Sequence, residues 1–331
     1  MPDLYITEQG ARLERLSQRL VVRKHDEKLL ELPVKDVDRV VIFGAVQVTT
    51  QALGLLLEKG IDLNLLSVHG RFRGKLSAGL SKNIQLRLAQ HSRLQDEKFK
   101  LNFDINIVEA KIKSQQSIMK RFMRNHNDTG FTQELSVSDN ALKLLPQQAD
   151  VDAVRAVEGM AAAAYFSAFS RMVYFEPGFV KRSRRPPLDP LNGLLSLGYA
   201  LTGGELAGLI EYRGLDPFMG FYHTAKHGRQ SLALDVLEEF RHPLVDRLTL
   251  KILNTGTLSQ ADFGKGSRKE AYLKDESFKR YIVLYEDYLT RRFFVRKLDR
   301  KLCFRELFRI QVDKLAGAVK CNTSYEPFTM E

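Results

Sequence analysis

The sequence predicts an α+β fold, with a sandwich-like N-terminal β-sheet domain over residues 1–80 and a larger all-α domain over residues 81–331. Two periodicities predict this division. In the first part, residues 11–16 and 19–24 alternate apolar with polar, which is the two-residue period of a half-buried strand, and residues 38–43 resemble a more buried strand. From about residue 85 to residue 314 the apolar residues instead recur at helical spacing, and the alternation of β-branched residues disappears.

Short strands around a single helix are predicted in the first part. Thr49 and Thr50 precede a leucine-rich segment that ends at Gly60, an arrangement typical of a short capped helix. The strands on either side of this helix are predicted at residues 4–6, 11–16, 19–24, 28–32, 38–43, 62–67 and 71–76. Together these elements predict a compact sheet domain.

Helices joined by polar loops are predicted in the second part. Pro243 is expected to interrupt one of them, because proline donates no backbone hydrogen bond. A basic, proline-rich connection covers residues 177–190. The helices are predicted at residues 83–97, 106–124, 150–172, 191–201, 231–253 and 275–301.

The overall composition narrows the class of protein. The formal net charge is +11, which favours a polyanionic partner such as nucleic acid, because Lys and Arg displace counterions from phosphates. Cys303 and Cys321 are the only cysteines, too few for a disulfide framework or a zinc ribbon, which suits the reducing cytoplasm. No segment has the roughly 18 to 20 uncharged apolar residues that a membrane span needs, so no membrane partner is expected.

Glu158 is an isolated carboxylate in an otherwise apolar helical segment. Helical spacing places it on the face that carries Val154, Ala161 and Tyr165. A carboxylate in such surroundings is costly unless it pairs with a cation or binds a metal. Two interpretations follow, a metal ligand or a buried ion pair with Arg155.

A second segment combines a histidine with acidic residues. His223 precedes a helix for which Ser231 is the expected N-cap, and on this helix Asp235 and Glu238 lie one turn apart. Two carboxylates and an imidazole suit Mg²⁺ or Mn²⁺, and such a cation neutralises a phosphate and lowers the pKa of an attacking hydroxyl. The competing interpretation of Glu238 and Glu239 is a solvated acidic face.

Several basic residues near these segments are candidates for a DNA track: Lys181, Arg182, Arg184, Arg185, Lys226 and Arg229. A solvated surface is the alternative for any one of them. Arg241 is expected to pair with a neighbouring acid, and Tyr165 to pack in the core with a polar role for its hydroxyl. Phe293 and Phe294 lie among arginines and could stack on bases, although a position in a helix core is the favoured interpretation.

Three local patterns resemble the family of CRISPR-associated adaptation integrase-endonucleases, and the resemblance covers nearly the whole chain. The patterns are Arg155-x-x-Glu158-Gly159, then Arg185-Pro186-Pro187-x-Asp189-Pro190-x-Asn192, and Gly220-x-x-His223 followed by Ser231-Leu232-x-x-Asp235-x-x-Glu238-x-Phe240-Arg241. The resemblance implies a DNA endonuclease and integrase that depends on Mg²⁺ or Mn²⁺. It implies that Glu158, His223 and Glu238 are the catalytic metal ligands, that Asp235 is a supporting acid, and that Lys226 contacts DNA.

The resemblance also implies an assembly and a substrate. Members form homodimers, for which the N-terminal domain is the expected interface, and they join a small second adaptation protein. They bind a short duplex prespacer, whose 3′-hydroxyls attack the CRISPR array. Two alternatives remain open at this point: a non-catalytic DNA-binding scaffold of the same fold, and a general metal-dependent DNA repair nuclease with the same site.

Overall fold

The structure is a computed structural model that describes residues 3–79, 83–126, 130–174, 179, 182–183, 186–266 and 270–330. The chain divides into two compact units, Met1–Leu80 and Ser81–Glu331. The first unit is built from two sheets and the second mainly from helices. This architecture confirms the predicted α+β class.

Two four-stranded sheets share one apolar core in the first unit. The first sheet has the order β1-β5-β7-β8 and the second the order β4-β3-β2-β6. The elements are β1 (Leu4–Ile6), β2 (Arg12–Leu16), β3 (Arg19–Lys24), β4 (Glu27–Pro33), β5 (Arg39–Phe43), β6 (Gln47–Val48), α1 (Thr50–Lys59), β7 (Asp62–Leu66) and β8 (Phe72–Leu76).

The helix α1 forms where the capping residues predict it. The Thr49 side chain accepts a hydrogen bond from the backbone amide of Ala52 at the start of the helix. Gly60 ends it with φ of 67°, a left-handed conformation that glycine adopts without steric cost. Leu55 and Leu56 of α1 are fully buried in the core that both sheets share.

Helices dominate the second unit. They are α2 (Ile84–Leu94), α3 (Glu97–His126), α4 (Thr132–Leu144), α5 (Val151–Met172), α6 (Pro190–Arg213), α7 (Ser231–Phe240), α8 (Arg247–Asn254), α9 (Asp275–Thr290) and α10 (Phe304–Cys321). The long helix α3 packs against both α5 and α7, and α6 also packs against α7. This arrangement brings side chains from α3, α5 and α7 to one place.

The region around Pro243 departs from a single helix. A π-helical segment, Arg241–Asp246, joins α7 to α8. Pro243 lacks a backbone donor, which is consistent with the expected interruption. Ser231 is the first residue of α7 rather than its cap, and its hydroxyl donates to the Thr224 carbonyl oxygen.

Two short antiparallel strand pairs interrupt the helical unit, which the sequence did not predict. They are β9 (Phe263–Lys265) with β10 (Ala271–Leu273), and β11 (Phe293–Val295) with β12 (Arg300–Leu302). The helix predicted over residues 275–301 therefore ends at Thr290. Phe293 leaves the helical path and packs against Phe304, with 4.8 Å between ring centroids.

Helix α6 is the one helix in the described parts of the chain that is long and apolar enough to cross a membrane. Of its most apolar window, 56% is buried inside the protein. Such burial is typical of the core helix of a globular unit.

Candidate active site

Side chains from three helices and one loop meet at a single buried ammonium group. The Lys111 Nζ atom, on α3, forms ion pairs with Glu158 of α5 and with Glu238 of α7, the latter at 2.8 Å from Oε2. His223, in the loop before α7, places its Nε2 atom 3.8 Å from Glu238 Oε1. The structure therefore brings Glu158, His223 and Glu238 together, and it adds Lys111 between the two glutamates.

The cation that neutralises Glu158 is Lys111, not Arg155, so the predicted pair with Arg155 is wrong. Arg155 instead donates to Asp152 and, at 2.9 Å, to the Tyr222 carbonyl oxygen. The Tyr222 hydroxyl donates to Glu158 Oε2. Glu158 keeps 21% of its side chain exposed, so one edge of this carboxylate remains accessible to a ligand.

Glu238 and Glu239 are both buried, which makes the prediction of a solvated acidic face wrong. Glu238 points to the site, where Arg241 Nε donates to its Oε1 at 2.9 Å, as expected for Arg241. Glu239 points the other way and accepts hydrogen bonds from Gln311 at 2.7 Å and from the Tyr325 hydroxyl. Burial raises the pKa of Glu239 to about 7, although these hydrogen bonds lower it in part.

Asp235 fixes the orientation of His223. Its Oδ1 atom lies 2.7 Å from His223 Nδ1 and accepts from the His223 backbone amide at 2.8 Å. Its Oδ2 atom accepts from the amides of Phe221 and Tyr222. This arrangement leaves His223 Nε2 directed toward Glu238, as a metal-binding imidazole requires.

Gly220 allows the histidine loop to lie this close to α7. A Cβ atom at Gly220 would lie 2.6 Å from Ser231 Cβ and 2.9 Å from Asp235 Oδ2. Both distances are shorter than normal van der Waals contacts. A larger residue would therefore displace the loop from Asp235 and, with it, His223.

The two glutamates of the site are ionised at neutral pH. Burial opposes the charge of Glu158, but Lys111 and the Tyr222 hydroxyl outweigh it and lower the pKa of Glu158. Burial likewise opposes the charge of Glu238, and Arg241, Lys111 and His223 together hold its pKa well below the usual range. Ionised carboxylates are the ligands that hard divalent cations prefer.

The donor set fits a divalent cation. No preformed group of three or more acidic, histidine or cysteine side chains is arranged as a metal site within the described residues. A cationic group nevertheless already contacts both carboxylates, and Glu238 Oε2 has no hydrogen-bond partner despite its ion pair with Lys111. Glu158, Glu238 and the oriented imidazole of His223 are therefore a suitable ligand set for Mg²⁺ or Mn²⁺.

A second, largely buried network centres on Asp246 and contacts Arg241 of the site. Asp246 accepts hydrogen bonds from the hydroxyls of Tyr165, at 2.8 Å, and of Tyr199. His242 Nδ1 lies 2.7 Å from the same carboxylate. The expected packing of Tyr165 with a polar role for its hydroxyl is confirmed. The Tyr199 ring also stacks under the Arg241 guanidinium, 4.6 Å from its centroid, and so helps to hold the partner of Glu238.

The basic candidates for a DNA track lie in different environments. Lys226 is exposed and Arg229 is half-buried, both in the loop that follows His223. The Arg182 guanidinium donates to Asn192 Oδ1 at 2.6 Å, so it helps to hold the start of α6. The remaining candidates, Lys181, Arg184 and Arg185, lie outside the described residues.

Asp104 is an acidic residue near the site that the sequence did not single out. It lies on α3 two turns before Lys111, is almost fully buried, and has no hydrogen-bond partner for either carboxylate oxygen. Burial, followed by the nearby charge of Asp235, raises the pKa of Asp104 to about 8. The group is therefore largely neutral at pH 7.

The free energy of unfolding should depend on pH through Asp104. Its folded-state pKa of about 8 exceeds the ordinary 3.8, so its contribution to stability is present at low pH and is lost as pH rises from about 4 to 8. We expect Asp104→Asn to exceed the wild type in stability by more than about 2 kcal/mol at about pH 9. Near pH 4, where the carboxyl group is largely protonated in the folded protein and half protonated in the unfolded chain, the two proteins should be almost equally stable, as measured by urea unfolding.

Asp287→Asn is the matched control for this comparison, because Asp287 is an exposed aspartate on α9 of the same unit. It should shift stability little at either pH. A difference between Asp104→Asn and the wild type that does not change with pH would contradict the assignment of a raised pKa to Asp104.

Two residues of the site itself were not found from the sequence. Lys111 lies in a helix rich in exposed charges, and nothing in its local pattern separates it from Lys113, which is exposed. Tyr222 stands beside apolar Phe221 in the sequence, and nothing in the local pattern marks its hydroxyl as part of the site. Only the contacts between helices that are distant in sequence identify both residues.

Comparison with known proteins identifies the family. A family model described as CRISPR associated protein Cas1 matches residues 4–287. A protein named CRISPR-associated endonuclease Cas1 3, from Thermus thermophilus, is 33% identical over 99% of this chain and 97% of its own length.

Solved structures share the fold. A casposase bound to an integration product superposes with a TM-score of 0.88 at 22% identity, over 99% of this chain and 93% of that chain. A chain of a Cas6-RT-Cas1–Cas2 complex gives a TM-score of 0.85 at 24% identity, over 100% of this chain and 36% of that longer chain. With the family model and the relative from Thermus thermophilus, the conclusion is that the chain belongs to the Cas1 family.

Proposed function

We propose that this protein is a metal-dependent DNA endonuclease and integrase that inserts short duplex DNA into a CRISPR array. One observation carries the proposal: two ionised carboxylates share one cationic group, and an oriented imidazole lies 3.8 Å from one of them. The net charge of +11 suits a nucleic-acid substrate. The endonuclease name of the relative from Thermus thermophilus supports the reaction class.

Glu158, His223 and Glu238 would hold Mg²⁺ or Mn²⁺. When bound, such a cation neutralises the scissile phosphate and makes a coordinated hydroxyl more acidic. Around it, Asp235 keeps the imidazole in the tautomer that leaves Nε2 free to bind. Lys226 is exposed near His223 and suits a contact to a DNA phosphate. A DNA 3′-hydroxyl as the attacking group gives strand transfer, and water in its place gives cleavage.

The proposed assembly is a homodimer that joins a small second adaptation protein in the cytoplasm. Strand β4 is an edge strand of its sheet, and Leu29 and Leu30 on it are each 42% exposed. An exposed apolar edge of this kind suits pairing with another chain. The Cas2 component named in the structurally similar complex supports a second protein of that type.

Asp235→Asn should weaken metal binding by about 10- to 100-fold, because loss of the carboxylate leaves His223 without a fixed orientation. Titration calorimetry with Mn²⁺ measures this affinity directly. Glu239→Gln is the matched control, since Glu239 lies on the same helix and is buried but points away from the site. Unchanged Mn²⁺ affinity in a folded Asp235→Asn protein would show that Asp235 does not position the histidine.

Strand transfer tests the proposed function. Purified protein would be incubated with a labelled duplex bearing free 3′-hydroxyls and a supercoiled plasmid that carries a repeat array. The reactions would contain Mg²⁺, Mn²⁺ or EDTA, with and without the small partner protein. We expect label to enter the plasmid only when a divalent metal is present, and to enter at the array.

Two other outcomes would replace this proposal. DNA binding without joining or cleavage under any metal would indicate a non-catalytic scaffold. Metal-dependent cleavage without joining, and without preference for the array, would indicate a general repair nuclease.

A further inference from the structure

The helical unit contains a second basic surface, separate from the candidate active site. It is a cleft of about 830 Å³, called here the C-terminal cleft, and Glu326 is the single carboxylate residue among the described residues that line it. Arg121 lies at one side of the cleft, about 15 Å along α3 from Lys111 at 1.5 Å per residue. The residues that define the cleft for the following argument are Arg121, Arg247, Arg291, Phe293, Phe294 and Lys297.

Arg292 of the cleft pairs with Glu306, but three other positive charges of the cleft are not neutralised by the described residues. In the portion of the chain that the structure describes, the side chains of Arg121, Arg247 and Arg291 make no ion pair. Arg247 donates to the thioether sulfur of Met330, which is a weak acceptor. Burial lowers the pKa of Arg247, and the charge of Arg121 lowers it further. Tyr288 partly offsets this effect. The half-buried guanidinium of Arg247 thus lies near the exposed guanidinium of Arg121, and an anion between them would relieve their repulsion.

An aromatic side chain projects from the same cleft. Phe294 on β11 is 55% exposed, and Arg292 and Arg296, two residues before and after it in the sequence, line the same cleft. Its neighbour Phe293 faces the protein and packs against Phe304. An exposed aromatic ring in a cleft lined by arginines is the arrangement on which unpaired bases stack while phosphates contact the cations.

We propose that the C-terminal cleft binds a single-stranded segment of DNA, with phosphates at Arg121, Arg247 and Arg291 and a base stacked on Phe294. A single strand is favoured because its bases offer free faces to Phe294, whereas the bases of a duplex already stack on one another. The choice of DNA rests on the proposed function. The chemistry of the cleft itself requires neither a metal nor catalysis. The site would hold an unpaired end of the DNA outside the reaction centre.

Equilibrium binding tests this assignment. Fluorescence anisotropy would measure the affinity of the full-length protein for labelled oligothymidylate and for a labelled duplex, in EDTA and over a series of salt concentrations. The variants are Arg121→Gln, Arg291→Gln and Phe294→Ala, all at exposed positions. Arg124→Gln, exposed one turn after Arg121 and outside the cleft, and Tyr212→Ala, at a residue 83% exposed on α6, are the matched controls.

We expect Phe294→Ala to weaken oligothymidylate binding by about fivefold or more, with little effect on the duplex. Each arginine variant should reduce the slope of log affinity against log salt by about 0.7, the value for one lost phosphate contact on a single strand. The controls should bind as the wild type does, and all melting temperatures should stay near the wild-type value.

Three results would overturn the assignment. They are cleft variants that bind like the controls, an equal loss of duplex and single-strand affinity in Phe294→Ala, and displacement of the oligonucleotide by a polyglutamate peptide of equal charge. The strand-transfer assay keeps this question separate from the proposed function. If the wild-type protein binds DNA through the cleft but transfers no strand, the cleft assignment stands and the proposed integrase function fails.

Discussion

Glu158→Gln and Glu238→Gln should each reduce strand transfer and cleavage by about a thousandfold or more. Glutamine preserves the shape of the side chain but removes the charge that a divalent cation requires. The Tyr222 hydroxyl can still donate to the amide oxygen at position 158, so the local packing should survive. Gel assays of labelled product in Mn²⁺, together with duplex binding measured in EDTA, separate loss of chemistry from loss of DNA affinity.

The control for this pair is again Glu239→Gln, which changes a buried glutamate on the same turn of α7 as Glu238. It should retain strand transfer near the wild-type rate. Duplex affinity should be close to wild type in all three variants, since neither site glutamate attracts a phosphate. Retention of most strand transfer in Glu158→Gln would remove that residue from the metal site.

Lys111→Met should destabilise the metal-free protein by about 3 kcal/mol, the lower end of the cost of removing one partner from a buried ion pair. Without the ammonium, Glu158 and Glu238 face each other with no cation between them. A divalent metal would replace the missing charge. The rise in melting temperature on addition of Mn²⁺ should therefore be larger in Lys111→Met than in the wild type.

Lys113→Met provides the comparison, because Lys113 lies on the same helix, pairs with Glu109 and is 49% exposed. Its effect on stability should be small, and its response to Mn²⁺ should equal that of the wild type. If Lys111→Met were as stable as Lys113→Met and responded to Mn²⁺ in the same way, the two glutamates would not share a cation.

Glu158 could be selected from the sequence because its surroundings are apolar. A single carboxylate among alanines and aromatic residues has few explanations, and each requires a cation. The cation that pairs with Glu158 could not be identified in the same way. Arg155 is the nearest basic residue on the same helix, whereas Lys111 comes from a helix that packs across α5. The pattern within one helix carries no information about which neighbouring helix supplies the charge.

Glu238 and Glu239 show a second limit of local patterns. They are adjacent and identical, and a helical wheel separates them by only about 100°. The structure directs one to Lys111 and His223 and the other to the C-terminal residues Tyr325 and Phe328. The resemblance to the adaptation family selected Glu238, and burial of both residues on all sides explains why the acidic pair is not solvated.

The division into a sheet unit and a helical unit could be predicted from periodicity, because apolar residues recur at strand spacing in the first unit and at helical spacing in the second. The strands β9 to β12 were missed because three residues are too few to display alternation. The missed strand β11 changed the interpretation of Phe294. In the core of a helix Phe294 would be buried, but on this short strand it is exposed and lines the C-terminal cleft.

The most direct test of the central claim is a crystal structure of the protein soaked in Mn²⁺, with anomalous diffraction to locate the ion. The account predicts an anomalous peak bonded to Glu158, His223 Nε2 and Glu238, with the Lys111 ammonium displaced from between the carboxylates. The same soak of Glu158→Gln should give a much weaker peak. A strong peak elsewhere, with Lys111 still bridging Glu158 and Glu238, would contradict the assignment of these residues as the metal site.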